Sequence, residues 1–455
     1  MSSFSSNLAT VAPPPAGPPG VPLLGHLPWY LADKLGFLTS CAAHYGEVVK
    51  LWIGEPTYLL TNPADIKHVL VDNAPNYNKT PRLTSKRGKR LSGSGMQTSS
   101  GSEHLRQRRL LQPLFQRRMV ERFYPTVFER TGRWMAGWAD GGEMDVAHEM
   151  ESLALSIIIG ALFGSDFEEG RLAQAITTRR RYIEYIYGSL FPFPEYLPVN
   201  IVFQYRRAMQ IIDATIHREI SRHRAAETAR ESFTAMFSEA TYPDGSRMTT
   251  TQIRDELLTL MSTGYETMGD ALSWTLYLLA EHPRVEQMVV DELRQVLGER
   301  PLGVEDIPNL VYTRKVLEES MRLYPPTWIF VRKAVGDDQL PSGPIIQRGS
   351  KLYLCQYVMH RSSRYFPEPE QFYPERFNDR ERAGRPRFAY FPFGGGPRTC
   401  IGEQFALIEG ISILAMLLSR FQFQRKAGHR ISLRPTITLR AKYGIRVRMS
   451  PRGSA

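Results

Sequence analysis

At 455 residues, 42% hydrophobic and 23% charged, the chain has the composition of an ordinary globular protein with a sizeable core, which excludes disorder as its default state. A formal net charge of +11 would suit nucleic acid. No aromatic-interleaved or helix-turn-helix pattern accompanies the basic residues, so no nucleic-acid partner is expected, only a solvated basic surface or one that attracts an acidic protein.

Length alone suggests about three domains. Three cysteines, Cys41, Cys355 and Cys400, are too few and too scattered for a disulfide framework and point to a reducing cytoplasm. Residues 1–22 end in the run Pro13 to Pro22 and read as a flexible, polyproline-like lead-in. Nothing before it spans a membrane, because a crossing helix needs about 20 apolar residues. The longest comparable run, Ile411 to Leu418, is far shorter, and no secretory signal is present.

Val48 to Ile53 and Tyr58 to Thr61 form a hairpin around Gly54-Glu55-Pro56, after which Pro63 opens a helix. Asn73 to Ser102 is polar and glycine-rich and reads as a long structureless loop, functional or mobile. His104 and Arg108 then share a helical face, in themselves an exposed basic one. Helical periodicity fills 119–240, clearest in Val146 to Phe163 and Val202 to His223, with an aromatic, proline-rich connection at Leu190 to Pro198.

A long helix runs from a Thr250 or Thr251 cap to Glu281, stopped by His282-Pro283. Thr263-Gly264-Tyr265-Glu266-Thr267-Met268 interrupts its apolar centre. By residue type alone, Thr267 bonds back to the Thr263 carbonyl and Glu266 reaches solvent or a partner. Further helices are expected over Val285 to Leu297, Leu310 to Leu323 and Phe405 to Phe421, then strands over Ile431 to Met449 and a frayed tail. Glu319 and Arg322, three apart, read by themselves as a surface ion pair.

One turn stands out: Phe393-Gly394-Gly395-Gly396-Pro397-Arg398-Thr399-Cys400-Ile401-Gly402, ahead of an apolar helix. A cysteine at a helix start meets free N–H groups and the positive dipole end, which lowers its pKa toward the iron-binding thiolate. The glycines allow unusual backbone angles and close approach to a flat ligand, and Arg398 suits a carboxylate on its rim. Equally, Cys400 is a small buried hydrophobe, as most free cysteines are. Zinc fits poorly, since the nearest histidines are His360 and His429. No Gly-Lys-Ser/Thr follows the glycines, so a phosphate loop fits no better.

Phe-x-x-Gly-x-Arg-x-Cys-x-Gly, matched here at every fixed position, resembles the haem-ligand signature of the cytochrome P-450 family. The resemblance covers nearly the whole chain. It implies a mainly α protein with small β-sheets, a single haem-thiolate domain over 23–455, and haem b (iron protoporphyrin IX) with Cys400 as its axial ligand. Phe393, Gly396 and Gly402 would shape the ligand turn, and His104, Arg108, Arg332 and Arg398 would meet the haem propionates. The polar segment after Asn73 and the Leu190 to Pro198 connection would roof and cover the substrate channel.

Small-Gly-x-acid-Thr is similar to the family's oxygen-activation motif, in which Gly264 opens a groove for O₂, Thr267 donates a hydrogen bond to the bound oxygen and Glu266 relays protons. Thr263 and Met268 depart from it, standing where relatives usually have Ala or Gly and where many have Thr or Ser. Glu319-x-x-Arg322 with Arg376 resembles the family's buried core ion pairs.

The activity implied is monooxygenation of a small lipophilic substrate (a fatty acid, terpenoid, steroid or other natural product) by O₂. Electrons would come from a ferredoxin or flavodoxin with its NAD(P)H-dependent reductase. A soluble, cytoplasmic, bacterial monomer is expected. A peroxide-driven haem enzyme and a non-catalytic haem sensor are the alternatives.

Overall fold

A computed structural model describes residues 15–138, 140–164, 167–188, 197, 199–225 and 231–453. The first fourteen residues and nearly all of the Leu190 to Pro198 connection lie outside these. By its internal contacts the chain divides into two units, one of residues 1–80, 329–365 and 385–399, the other of 81–328, 366–384 and 400–455.

The smaller unit is built on a five-stranded sheet in the order Val48–Trp52, Pro56–Leu60, Lys351–Leu354, Phe330–Ala334, Tyr77–Asn78. The expected hairpin pairs Val48 with Leu60 through Trp52 with Pro56. Lys351–Leu354 runs parallel to its second strand, a pairing that the intervening chain must return to make. The proline-rich lead-in is fastened to this sheet from Ala16 onward. The Lys50 N–H donates to the Ala16 carbonyl at 3.0 Å. His26 Nδ1 accepts from the Trp52 N–H at 2.8 Å, which leaves Nε2–H to donate to the Pro18 carbonyl, also at 2.8 Å.

The larger unit is organised around the 32-residue helix Thr250–Glu281, the central helix. Its start is a capping box in which Thr249 and Gln252 satisfy each other's backbone N–H, one residue before the expected cap. His282-Pro283 ends it as the sequence implies. Val146–Phe163 packs along it closely enough that a Cβ on Gly269 would lie 2.7 Å from Glu151 Cα. This 18-residue apolar helix, with a mean hydropathy of 1.5, is long enough to cross a membrane, so it and not Ile411 to Leu418 is the longest apolar candidate among the described residues. About 67% of it is buried inside the protein, as a core helix would be.

The segment from Asn73 to Ser102 is more structured than its composition suggests. Pro81–Thr84 and Lys86–Ser92 are short helices, the second capped by Ser85. The following turn is clasped by carboxylates of the central helix: Asp255 accepts from the Ser94 N–H at 2.8 Å and Glu256 from the Met96 N–H at 3.0 Å. Polar composition misleads here because long-range side chains, which periodicity cannot register, satisfy this backbone.

Candidate active site

In the smaller unit, the glycine turn is held by protein rather than left open. Gly396 has φ +65°, and a Cβ there would stand 1.9 Å from the Leu70 carbonyl oxygen, so only glycine fits. Backbone packing therefore explains this glycine, where the sequence pointed to close approach of a flat ligand. Phe393 is half-buried beside it.

The same unit gathers three cations whose charges repel one another. Burial pushes the Arg398 guanidinium down to about 10, and burial followed by the Arg398 charge does the same to Arg332. Lys79 is pushed down to about 7, first by burial and then by Arg398 and Arg332. Concentrating positive charge in a desolvated place is costly unless an anion joins it. A dicarboxylate such as a haem edge is the kind of group that relieves it.

Cys400 opens the last segment of the larger unit. Its thiol is surface-accessible, yet surrounding protein desolvates it, so the side chain opens on free volume within protein. Gly402 adds to this space, with no heavy atom within 4 Å of where its Cβ would stand. The thiol pKa is raised, contrary to the expectation from its place before a helix. Burial outweighs the Gly402 N–H bond, Glu403 opposes the helix dipole, and the Arg108 charge compensates only in part. A bound metal would deprotonate such a thiol outright. No cluster of three or more His, Cys, Asp or Glu side chains suited to a metal exists among the described residues, so a single thiolate to a metal already held by a macrocycle fits this cysteine better than zinc does.

Arg108 stands near Cys400 on the helix Gly101–Leu111, where burial lowers its pKa and the Cys400 charge raises it. His104, one turn earlier, is buried rather than part of an exposed basic face.

The central helix carries a polar window. Ser262, Thr263, Gly264 and Thr267 are partly accessible in the middle of an otherwise buried stretch. Thr267 Oγ1 donates to the Thr263 carbonyl at 2.9 Å, and Thr263 and Thr259 make the same bond one turn back each. The local reading of Thr267 is thus the one adopted, with the oxygen lone pairs left to accept. At Gly264, Ile158 Cδ1 lies 3.0 Å from where a Cβ would stand, so that face of the glycine is covered by a neighbouring helix. Glu266 is buried. Burial raises its pKa, and Arg440, then Arg180, offset this in part, with Arg440 Nη2 at 3.4 Å from Oε2.

Glu319, Arg322 and Arg376 come together as a buried triad. Arg322 donates Nε to Glu319 Oε2 at 2.7 Å and Nη2 to Oε1 at 2.8 Å, while Arg376 Nε donates to Oε1 at 3.3 Å. The outer guanidinium nitrogens hold carbonyls of the irregular chain that follows: Pro369 at 2.7 Å and Gln371 at 3.0 Å from Arg322, and Pro367 and Glu368 from Arg376. The surface ion pair suggested by spacing alone is therefore a core device that ties down the segment from Pro367 to Tyr373.

Lys79, Asp270 and Arg440 escaped the sequence reading. Lys79 lay within a run assigned to loop. Asp270 stands one turn after Glu266, a spacing that could have marked it, whereas Arg440 arrives from a strand 170 residues away and leaves no local signal.

A cytochrome P450 family model matches residues 15–447. Cyclooctatin synthase of Streptomyces melanosporofaciens is 31% identical over 93% of this chain and 93% of its own length. Pentalenene oxygenase of Streptomyces avermitilis is 30% identical over 89% and 90%, and cyclooctat-9-en-7-ol 5-monooxygenase of Streptomyces melanosporofaciens is 30% identical over 90% of both. In fold, the chain is similar to the heme domain of cytochrome P450DA, with a TM-score of 0.87 and 23% identity over 97% of this chain and 98% of that one. The retinoic-acid-bound cyanobacterial CYP120A1 follows at a TM-score of 0.85.

Proposed function

The chain belongs to the cytochrome P450 family, a haem-b-dependent oxidoreductase that incorporates oxygen, and on that premise we propose that its substrate is a terpenoid hydrocarbon or alcohol. Three of its most similar relatives carry terpenoid names, which is the support for narrowing the lipophilic class. In this reading residues 23–455 act as one haem domain, and electrons come from a ferredoxin or flavodoxin with its reductase, drawn to the basic surface of a cytoplasmic monomer.

The observation that carries the site assignment is the accessible yet desolvated thiol of Cys400. Cys400 would hold the haem iron, Phe393, Gly396 and Gly402 would shape the ligand turn, and the cations Lys79, Arg332, Arg398 and Arg108, with His104, would meet the propionates. When bound, the haem supplies the redox chemistry that activates O₂, favoured by thiolate ligation. Gly264 and Thr263 border the space where oxygen is handled.

Thr267, whose hydroxyl donates to the Thr263 carbonyl in this structure, would turn that donor toward the oxygen to hold it in register. Glu266 supplies protons, since burial leaves its carboxyl able to carry one at higher pH than a solvated glutamate. Neighbours in sequence, Glu266 and Thr267 point about 100° apart around the helix, so the proton passes by a side-chain swing or through water. Glu319, Arg322 and Arg376 act structurally, bracing the chain that leads to Cys400.

The reduced carbon monoxide complex tests the ligand: a Soret band at the thiolate position is expected, and an unshifted band in folded protein would refute the assignment. Titrating pentalenene-type sesquiterpenes and cyclic diterpene alcohols for displacement of the haem water tests the substrate class. Fatty acids shifting the spectrum while every terpenoid fails would overturn it.

A further inference from the structure

Behind Glu266 lies a charge cluster that the oxygen-helix motif does not include. Glu151 comes to it from Val146–Phe163, Arg180 and Glu184 from Gly170–Gly188, Tyr265, Glu266 and Asp270 from the central helix, and Thr438 and Arg440 from the hairpin near the C-terminus. Arg440 is the hub. Its Nη1 lies 3.1 Å from Glu151 and 4.0 Å from Glu184, its Nη2 3.4 Å from Glu266 and its Nε 3.9 Å from Asp270. Arg180 pairs directly with the outer two, at 3.3 Å from Glu151 and 3.1 Å from Glu184, and acts on Glu266 only through its charge. Arg179 is committed to Ser262 Oγ and the Leu91 carbonyl, although its charge also reaches Glu266.

Four carboxylates thus share two paired guanidiniums, with Arg179 acting on Glu266 from further off. Such an excess of negative charge is relieved most cheaply by keeping a proton. The geometry says where. Glu151 and Glu184 have close guanidinium partners and are the more exposed, Glu266 has one at 3.4 Å, and the guanidinium nearest Asp270 is 3.9 Å away; the Thr438 side chain hydrogen-bonds this carboxyl, while its Oδ2 accepts no hydrogen bond among the described residues. Asp270 and Glu266 are four residues apart, so their carboxyls share one helix face. The buried Tyr265 hydroxyl, which has no hydrogen-bond partner among the described residues, senses Glu266, Arg180, Glu151 and Arg440.

We propose that Asp270 is a positioning residue for the oxygen chemistry, acting through Glu266 by storing the proton that replenishes it. This rests on the roles given above to Glu266 and Thr267. Glu266 releases its proton toward Thr267 and becomes a carboxylate. Asp270, as the neutral acid, passes its proton to Glu266. The Asp270 carboxylate left behind is held by Arg440 and takes a new proton from solvent at the more exposed side of the cluster, which Glu151 and Glu184 line. Burial agrees with this order, raising the Asp270 carboxyl to about 7 against the opposing pull of Arg440 and the Thr438 hydrogen bond.

The test uses haem-loaded wild-type, Asp270→Asn and Asp270→Glu protein, with NADPH oxidation driven by a surrogate ferredoxin and its reductase. Asp270→Asn should retain the carbon monoxide Soret position, slow NADPH oxidation several-fold, enlarge its solvent deuterium isotope effect and lose a titration near neutral pH; Asp270→Glu should restore all three. An infrared carboxylic-acid band that titrates near neutral pH should be present in wild type and absent from Asp270→Asn, both measured in a Glu256→Gln background that removes the other carboxyl raised to about 7. Persistence of that band in Asp270→Asn, or an unchanged isotope effect and pH profile, would overturn the proposal. Should the variant not fold, absence of the band from wild type alone refutes it. Glu266→Gln separates the two levels: if it too leaves the isotope effect unchanged, the relay reading itself has failed, whereas an effect there without one at Asp270 removes only the proton store.

Discussion

Replacing Glu319 by glutamine keeps its shape and removes its charge from a site where two guanidiniums depend on it. Four hydrogen bonds converge on the carboxylate: two from Arg322, one from Arg376 at 3.3 Å and one from the Tyr373 N–H at 3.0 Å. Glutamine offers one acceptor oxygen and turns a donor toward Arg322 Nε, leaving buried positive charge uncompensated. Breaking a buried pair from one side costs about 3 to 5 kcal/mol, or roughly two to four powers of ten in the unfolding constant. Against a total stability of about 5 to 15 kcal/mol, much of the molecule's margin is lost. Melting temperature is a poor gauge, because at about 2.1 cal/mol/K per residue the unfolding entropy is near 1 kcal/mol/K, and the shift is only about 4 °C. Guanidinium unfolding followed by far-ultraviolet dichroism and by the Soret band is the better assay. The midpoint should fall clearly, with haem released before the helices unfold, because the segment the triad ties down leads to Cys400. Adding Arg322→Met to Glu319→Gln removes one orphaned charge and should recover part of the loss. A single variant within about 1 kcal/mol of wild type, or a double variant as poor as the sum of its parts, would refute the reasoning.

The folded-state pKa of Lys79 is depressed, so between about 7 and the unfolded value near 10.4 the unfolded chain binds the extra proton and stability rises with pH. Haem-free protein should therefore gain stability from pH 7 to 10, a gain that Lys79→Met abolishes, while haem transfer to apomyoglobin becomes faster in that variant. Thr267→Ala loses a bond to a backbone carbonyl and should cost only about 1 kcal/mol in unfolding experiments while NADPH consumption shifts toward hydrogen peroxide. Gly269→Ala sets a Cβ against helix backbone and should cost about 1 to 3 kcal/mol. Gly264→Ala meets only the Ile158 side chain and no backbone, and helix propensity offsets the crowding, so its stability should stay within about 1 kcal/mol of wild type. Cys400→Ser should keep the far-ultraviolet spectrum and lose the thiolate Soret band.

Much of the architecture was legible in the sequence because it is set by local rules. The Thr249 cap, the His282-Pro283 stop and the period of Val146 to Phe163 each act within a turn or two of chain, and the structure follows them to within a few residues. The glycine turn stood out for another reason: its glycines, arginine and cysteine are contiguous, although packing against the Leu70 carbonyl is what requires glycine at Gly396. Tertiary structure decided what depends on distant partners. Glu319 and Arg322 could be read locally as a surface pair, and only burial against Arg376 and the carbonyls of 367–371 makes them a brace. The Cys400 pKa could be read from the helix dipole, and only desolvation reverses its sign. Arg440 joins Glu266 and Asp270 from a hairpin 170 residues on, because charge acts through space, and no period in the sequence encodes that convergence.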